Sequence, residues 1–254
     1  MELSPPWTLD DGNPKRGKLV SHLLEHMRST GDQVNLDDLN HFVAFAAPLA
    51  SRAHSQLFQE LWALWRAGGK RGGYFVEFGA ASGIKLSNTY FLETGMGWKG
   101  ILVEPHPVQV ERVRNARMCH VSDLCVFSRS DETLTFRMVA KGDLSRIADI
   151  NPGDGHEDTN RTKYKETQVR TISLNDLLTA YDAPREIDYM SVDTEGSEVE
   201  ILQAFDFDRW RVNAFTVEHN YTEAEGQLDA LFAANGYRRV WATVSRYDAW
   251  YVRA

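Results

Sequence analysis

The chain has 254 residues, 43% hydrophobic and 25% charged, with a formal net charge of −8. That length can bury a full core, so one large α/β domain with a modest extension is the natural expectation. The acidic balance argues against general binding to nucleic acid or an anionic membrane, both of which need a basic face to meet phosphates.

The two cysteines, Cys119 and Cys125, have no CxxC or Cys/His ligand spacing and read as reduced thiols of a cytoplasmic protein. The opening residues lack the basic start and apolar core of a signal peptide. No uncharged apolar stretch is long enough to span a bilayer.

Residues 1–17 are rich in Pro, Gly and charge and read as a loose arm. Three helical patterns follow. Leu19, Leu23, Leu24 and Met27 form the first, Leu36, Leu39, Phe42, Val43 and Ala46 the second, and Leu57, Phe58, Leu61, Trp62, Leu64 and Trp65 the third. The aromatics of the third suit core or lid packing better than a cofactor box. Residues 1–70 thus form an arm and helical extension, offering a lid or a homo-oligomer surface.

From Tyr74 the rhythm changes to short apolar runs. Strands are expected at 74–78, 100–104, 124–127, 187–193 and 214–218, with helices at 107–117, 173–181, 197–205 and 224–235. Such alternation predicts an α/β fold over residues 71–254, a Rossmann-like and mostly parallel sheet covered on both faces. The aromatic alternation of Tyr237–Val252 fits an antiparallel C-terminal hairpin at the sheet edge. Residues 141–168 read as a polar insertion too long for a plain connection.

The first strand delivers Glu77 into the turn Gly79-Ala80-Ala81-Ser82-Gly83. Small residues there let backbone approach a ligand, in the crevice where such sheets bind. The turn is not GxGxxG, which favours a ligand without pyrophosphate and disfavours a nicotinamide-dependent oxidoreductase. A purely structural tight turn is the alternative. The second strand ends at Glu104, a carboxylate placed to accept both ribose hydroxyls of an adenosyl group. Alone, Glu104 reads equally well as a helix N-terminal charge. Asp123 and Ser128 flank the expected third strand, where adenine contacts occur in such sheets.

Past the ends of strands four and five stand Asp193, Glu195, Glu218 and His219. Oxygen ligands converging without cysteine suit Mg²⁺ or Mn²⁺. Asp193 also reads as a helix cap, Ser197 with Glu200 as a capping box, and Glu198 and Glu200 as a solvated helix face. His219 reads as a structural histidine or as a general base. The remaining histidines, among them His120 and His156, carry no partner pattern.

Four blocks in order resemble the FkbM family of methyltransferases: Phe75 to Glu93, Gly97-Trp98-Lys99-Gly100 with Val103-Glu104-Pro105-His106-Pro107, Ser191-Val192-Asp193-Thr194-Glu195-Gly196-Ser197-Glu198 to Leu202, and Val217-Glu218-His219-Asn220. The resemblance covers about residues 73–240. It implies a class I methyltransferase sheet and S-adenosyl-L-methionine as cofactor, held by Glu77, Gly79, Ala80, Ser82 and Glu104. Ala81-Ser82 departs from relatives that carry an Asn there. Some relatives hold a divalent metal with acidic residues after strands four and five, positions that fall on Asp193 and Glu218. His219 stands where sugar-tailoring relatives have a second carboxylate, and is a third ligand or the base. The implied reaction is O-methylation of a small-molecule acceptor, a sugar or other polar metabolite. A non-catalytic interaction module on the same fold is the alternative.

Overall fold

A computed structural model describes residues 17, 18, 21, 36–139, 144–150, 153 and 162–254. The arm, the Leu19–Met27 pattern and His156 lie outside these residues. The chain runs through α1 (Leu36–Ala46), a 3-10 turn (Ala47–Arg52), α2 (Gln59–Arg66), β1 (Tyr74–Phe78), α3 (Tyr90–Met96) and β2 (Lys99–Val103). It continues with α4 (Pro107–Ala116), β3 (His120–Ser122), β4 (Cys125–Phe127), β5 (Thr133–Val139), β6 (Arg146–Ile147) and β7 (Tyr164–Ser173). Then follow α5 (Leu174–Ala180), β8 (Glu186–Val192), α6 (Glu198–Gln203), β9 (Arg211–Glu218), α7 (Ala224–Ala234), β10 (Tyr237–Val240) and β11 (Asp248–Arg253).

The main sheet has seven strands in the order β10-β11-β9-β8-β1-β2-β3. Pairing is parallel from β3 through β9, and β11 is antiparallel to both β9 and β10. This is the Rossmann-like methyltransferase topology expected, with one refinement at the edge. The C-terminal hairpin exists, but its second strand β11 lies inboard and β10 forms the edge.

Alternation along the strands divides the core. Val76, Phe78, Met190 and Phe215 face α5, α6 and α7 through Leu177, Ile201 and Phe232. Phe75, Tyr189, Ala214 and Trp250 face α1, α2 and α3 through Phe42, Trp62 and Phe91. The period of two thus sends neighbouring residues of one strand into different cores. Trp62 packs on Trp250 with ring centroids 4.8 Å apart. Leu61, Trp62, Ala63 and Leu64 are buried, so the apolar stripe of the third helical pattern is spent on this sheet face within the chain.

Two expectations need correction. The third strand of the main sheet is His120–Ser122, and Cys125–Phe127 instead opens a second sheet of order β4-β7-β5-β6. The run Leu124–Phe127 is apolar enough to read as a core strand, but its neighbour is Thr171–Ser173. The insertion is also larger than 141–168. Its arms are β5 and β7, paired antiparallel from Thr133↔Arg170 to Val139↔Tyr164, with β6 added on β5.

Candidate active site

The carboxyl ends of β1, β2 and β8 open onto a cleft. Gly79 and Ala81 form one wall, Glu104 and Pro105 a second, and Asp193 to Glu195 a third. Cys125 and Val126 of β4 close one end, and Phe136, Ser145 and Ile147 of the insertion roof it. Gly79 has φ +83°, and a Cβ there would stand 1.6 Å from the Asp193 carbonyl oxygen. The close approach of two strand ends therefore requires glycine at this position.

Glu104 is buried, and its Oε1 accepts from the backbone N–H of His106 at 2.8 Å. Burial pushes its carboxyl up to about 8, against the backbone hydrogen bonds from His106 and Ala81. Glu77 is buried as well but lies behind the cleft. Its Oε1 accepts from Asn88 N at 2.7 Å, and its Oε2 from Ser87 Oγ at 2.9 Å and from Thr89 Oγ1. The remaining cofactor positions divide. Ala80 packs against Leu102 and Val113 rather than lining the cleft. Ser82 Oγ accepts from Lys85 N at 3.3 Å. Asp123 is exposed and ion-paired with Arg114 at 3.0 Å. Neither Ser82, Asp123 nor Ser128 lines the cleft, and Cys125 and Val126 take the place expected for the last two.

A fully buried side chain that the sequence did not mark organises this region. Arg117 Nη1 donates to the Gly83 carbonyl at 3.0 Å and to Ser87 Oγ at 3.1 Å. Its Nη2 donates to Thr89 Oγ1 at 2.9 Å and its Nε to Glu93. Glu77 Oε2 lies 3.8 Å from Nη1. One guanidinium thus fastens the end of the glycine turn, the start of α3 and the acid of β1. Its position after α4 gives no local pattern from which this could be read. The second sheet does carry a signal in the sequence: Leu134, Phe136 and Met138 alternate with polar residues, the mark of a half-buried strand.

At the ends of β8 and β9 the carboxylates of Asp193, Glu198 and Glu218 present ligand atoms within 4.8 Å of one another. Burial and the surrounding acids raise Asp193 and Glu218 well above the usual carboxylate range, and burial raises Glu198. Asp193 and Glu218 lie close enough that each raises the other's cost of ionising or shares its proton. The Oε2 of Glu218 is buried with no hydrogen-bond partner. Nearby, Asp248 is pushed up to about 6 by burial, against the Gln59 amide that donates to its Oδ2 at 2.8 Å.

Glu198 is not a solvated face. Its carboxylate accepts from Thr194 N at 2.7 Å, Thr194 Oγ1 at 2.9 Å and Gly196 N at 3.1 Å, tying down the loop after β8. Ser197 makes no capping-box bond; its Oγ donates to Thr194 Oγ1 at 2.8 Å. His219 is buried, and its Nδ1 accepts from Tyr221 N at 3.0 Å while Nε2 faces Arg239 Nη2 at 3.3 Å. Burial lowers its pKa. Both ring nitrogens face this chain's own donors, so the third carboxylate, Glu198, joins Asp193 and Glu218 where the histidine was expected.

The sheet order and the glycine turn at the end of β1 define a Rossmann-like α/β domain. The family model of the FkbM methyltransferase domain matches residues 77–239, more than half of the chain, and the chain belongs to that family. Among solved structures, precorrin-6y C5,15-methyltransferase from Geobacter metallireducens is similar at 10% identity and TM-score 0.41, over 71% of each chain. A mutant of MtNAS in complex with S-adenosylmethionine is similar at 14% identity and TM-score 0.34, over 94% of this chain and 76% of that one. No curated protein sequence matches the chain. No helix among the described residues is long and apolar enough to cross a membrane.

Proposed function

We propose that the chain is an S-adenosyl-L-methionine-dependent O-methyltransferase acting on a small polar acceptor such as a sugar. The observation that carries this is the adjacency of the Gly79–Glu104 cleft to the Asp193–Glu218 carboxylate pair, in a chain of a methyltransferase family. Glu104 accepts the ribose hydroxyls, the backbone at Gly79 and Ala81 lies against the cofactor, and Val126, Phe136 and Ile147 form the apolar slot for adenine.

When bound, the cofactor would supply an activated methyl group, and the cleft would hold the acceptor oxygen in line with the carbon–sulfur bond, whose electron pair would stay on sulfur as the methyl group transfers. Alignment supplies most of the acceleration, because the sulfonium already activates the methyl group. The hydroxyl proton passes to the Asp193–Glu218 pair. Carboxylates raised by burial and mutual repulsion are stronger bases than exposed ones, which suits them to that role.

The same three carboxylates fit Mg²⁺ or Mn²⁺: Asp193, Glu198 and Glu218 converge with hard oxygen atoms, and the buried Oε2 of Glu218 lacks a partner. When bound, such an ion would lower the pKa of the acceptor hydroxyl. His219 remains the alternative base or ligand only if its ring leaves Tyr221 and Arg239.

Calorimetric titration with S-adenosylhomocysteine tests the cofactor assignment, and absence of binding and of any thermal shift at millimolar ligand overturns it. Turnover that persists in full after exhaustive chelation overturns the metal. Cofactor binding with no methylated product across a broad acceptor panel would favour the non-catalytic module.

A further inference from the structure

A second cleft opens on the other side of the loop after β8. Its walls are the start of α6 and the β9–α7 connection, and Glu218 belongs to them. The insertion that roofs the cofactor cleft through Ser145 and Ile147 reaches this one at Gly153. Position makes it the acceptor side of the proposed reaction.

Its lining is of one electrical sign. Glu198, Glu200, Glu218 and Glu223 contribute carboxylates; amides, a hydroxyl and the buried His219 imidazole fill the remaining polar positions, and its described lining residues include no Lys or Arg. Arg239, whose Nη2 faces lining residue His219 at 3.3 Å, has its Nη1 held by Glu225 at 2.7 Å and Asp229 at 3.0 Å. Glu200 and Glu223 are exposed at the rim. Deeper in, Glu218 Oε2 is buried without a partner, a polar atom that awaits a donor. Another cleft, lined in part by Lys18 and Arg246, shares no lining residue with this one.

We propose that the acceptor carries a protonated amine, held against the rim carboxylates of this cleft, and that phosphorylated or carboxylated acceptors are rejected. A concavity whose described lining carries carboxylates and no Lys or Arg repels an anion and attracts a cation, and discrimination of this kind comes as much from the repulsion as from the attraction. The proposal rests on the methyl-transfer reading only for the role of the cleft, not for its charge preference.

The test uses the protein loaded with S-adenosylhomocysteine and Mg²⁺, and three probes on one ring: glucosamine, glucose and glucose 6-phosphate. Saturation-transfer NMR and competition titrations should rank glucosamine first by roughly tenfold over glucose, with no transfer to the phosphate. Raising the ionic strength should shrink that margin. The double variant Glu200→Gln/Glu223→Gln should bring glucosamine down to the level of glucose while leaving the affinity for S-adenosylhomocysteine unchanged. Binding of glucose 6-phosphate at or above the glucose level overturns the proposal. So does absence of glucosamine binding, or a margin the double variant leaves intact. Failure of S-adenosylhomocysteine to bind the wild-type protein would instead sink the methyl-transfer reading, and the probe ranking would still report on the cleft.

Discussion

The carbonyl oxygen of Asp193 fills the space that a side chain at Gly79 would need. Two strand ends therefore meet with only a hydrogen between them, and the cofactor turn and the acidic loop are set by a single contact. Gly79→Ala should cost on the order of 4 kcal/mol and lower the melting temperature by roughly 10 °C. Gly83→Ala, whose Cβ would meet the movable Val113 side chain at 3.2 Å, should cost only about 1–2 kcal/mol for its φ of +73°. Calorimetry on both variants checks the ranking, and equal costs would show that the Asp193 contact is not what demands glycine.

Arg117→Met should destabilise the chain by about 3–5 kcal/mol, because Glu77 and Glu93 would then be buried without their cation. Arg117→Lys should recover only part of this, since an ammonium cannot reach Gly83, Ser87, Thr89 and Glu93 together. Adding Glu93→Gln to Arg117→Met should cost less than the sum of the single changes. Urea titrations of the four proteins give the coupling, and strict additivity would dissolve the network.

Burial raises Glu104 to about 8, so its ionised form is the one the fold disfavours. The stability linked to this raised pKa is complete below the unfolded value, near 4.5, and is lost as the pH rises through about 8. Melting temperatures of the ligand-free protein should fall over that window, and less so in Glu104→Gln. If the ribose hydroxyls need the ionised carboxylate, the affinity for S-adenosylhomocysteine should weaken as the pH falls below about 8, by up to about tenfold per pH unit. Titration near pH 7 in buffers of differing ionisation enthalpy should then show proton release. A pH-independent affinity would remove Glu104 from that role.

Asp193→Asn and Glu218→Gln should each lower turnover by roughly 10²–10⁴-fold with cofactor affinity changed only a few-fold. Single-turnover kinetics beside calorimetric titration separates the two effects. A matching loss of cofactor binding would place these side chains in cofactor recognition instead.

How legible all this is depends on whether the signal is local. β1, β2, β8 and β9 announce themselves because each is a short apolar run buried on both faces, and their order follows from the helices between them. Glu104 and Asp193 are readable as acids at strand ends. Glu77 is readable too, but not its orientation: alternation turns it away from the cleft toward Ser87 and Thr89. The second sheet escapes a search for apolar runs because β5 and β7 alternate, and much of their surface is exposed. Glu198 has the local pattern of an exposed helix charge, and only the folded-back loop gives it Thr194 and Gly196 as donors. Arg117 depends on groups 24 to 34 residues away, a pattern no periodicity encodes.

The inboard seat of β11 also bears on the order in which the molecule assembles. β10 is synthesised first, yet its sole neighbour in the sheet is β11, and β9 likewise waits for β11 on one side. A growing chain that has passed Val240 therefore exposes the open flank of β9, with β10 unable to dock until Asp248–Arg253 arrives to bridge them. The buried rings of Trp250 and Tyr251 are what seal that flank, Trp250 against Trp62 and Tyr251 stacked 3.8 Å from Phe232. Nascent chains that stop short of this strand would present a sticky ribbon, the state in which a chaperone would be most needed.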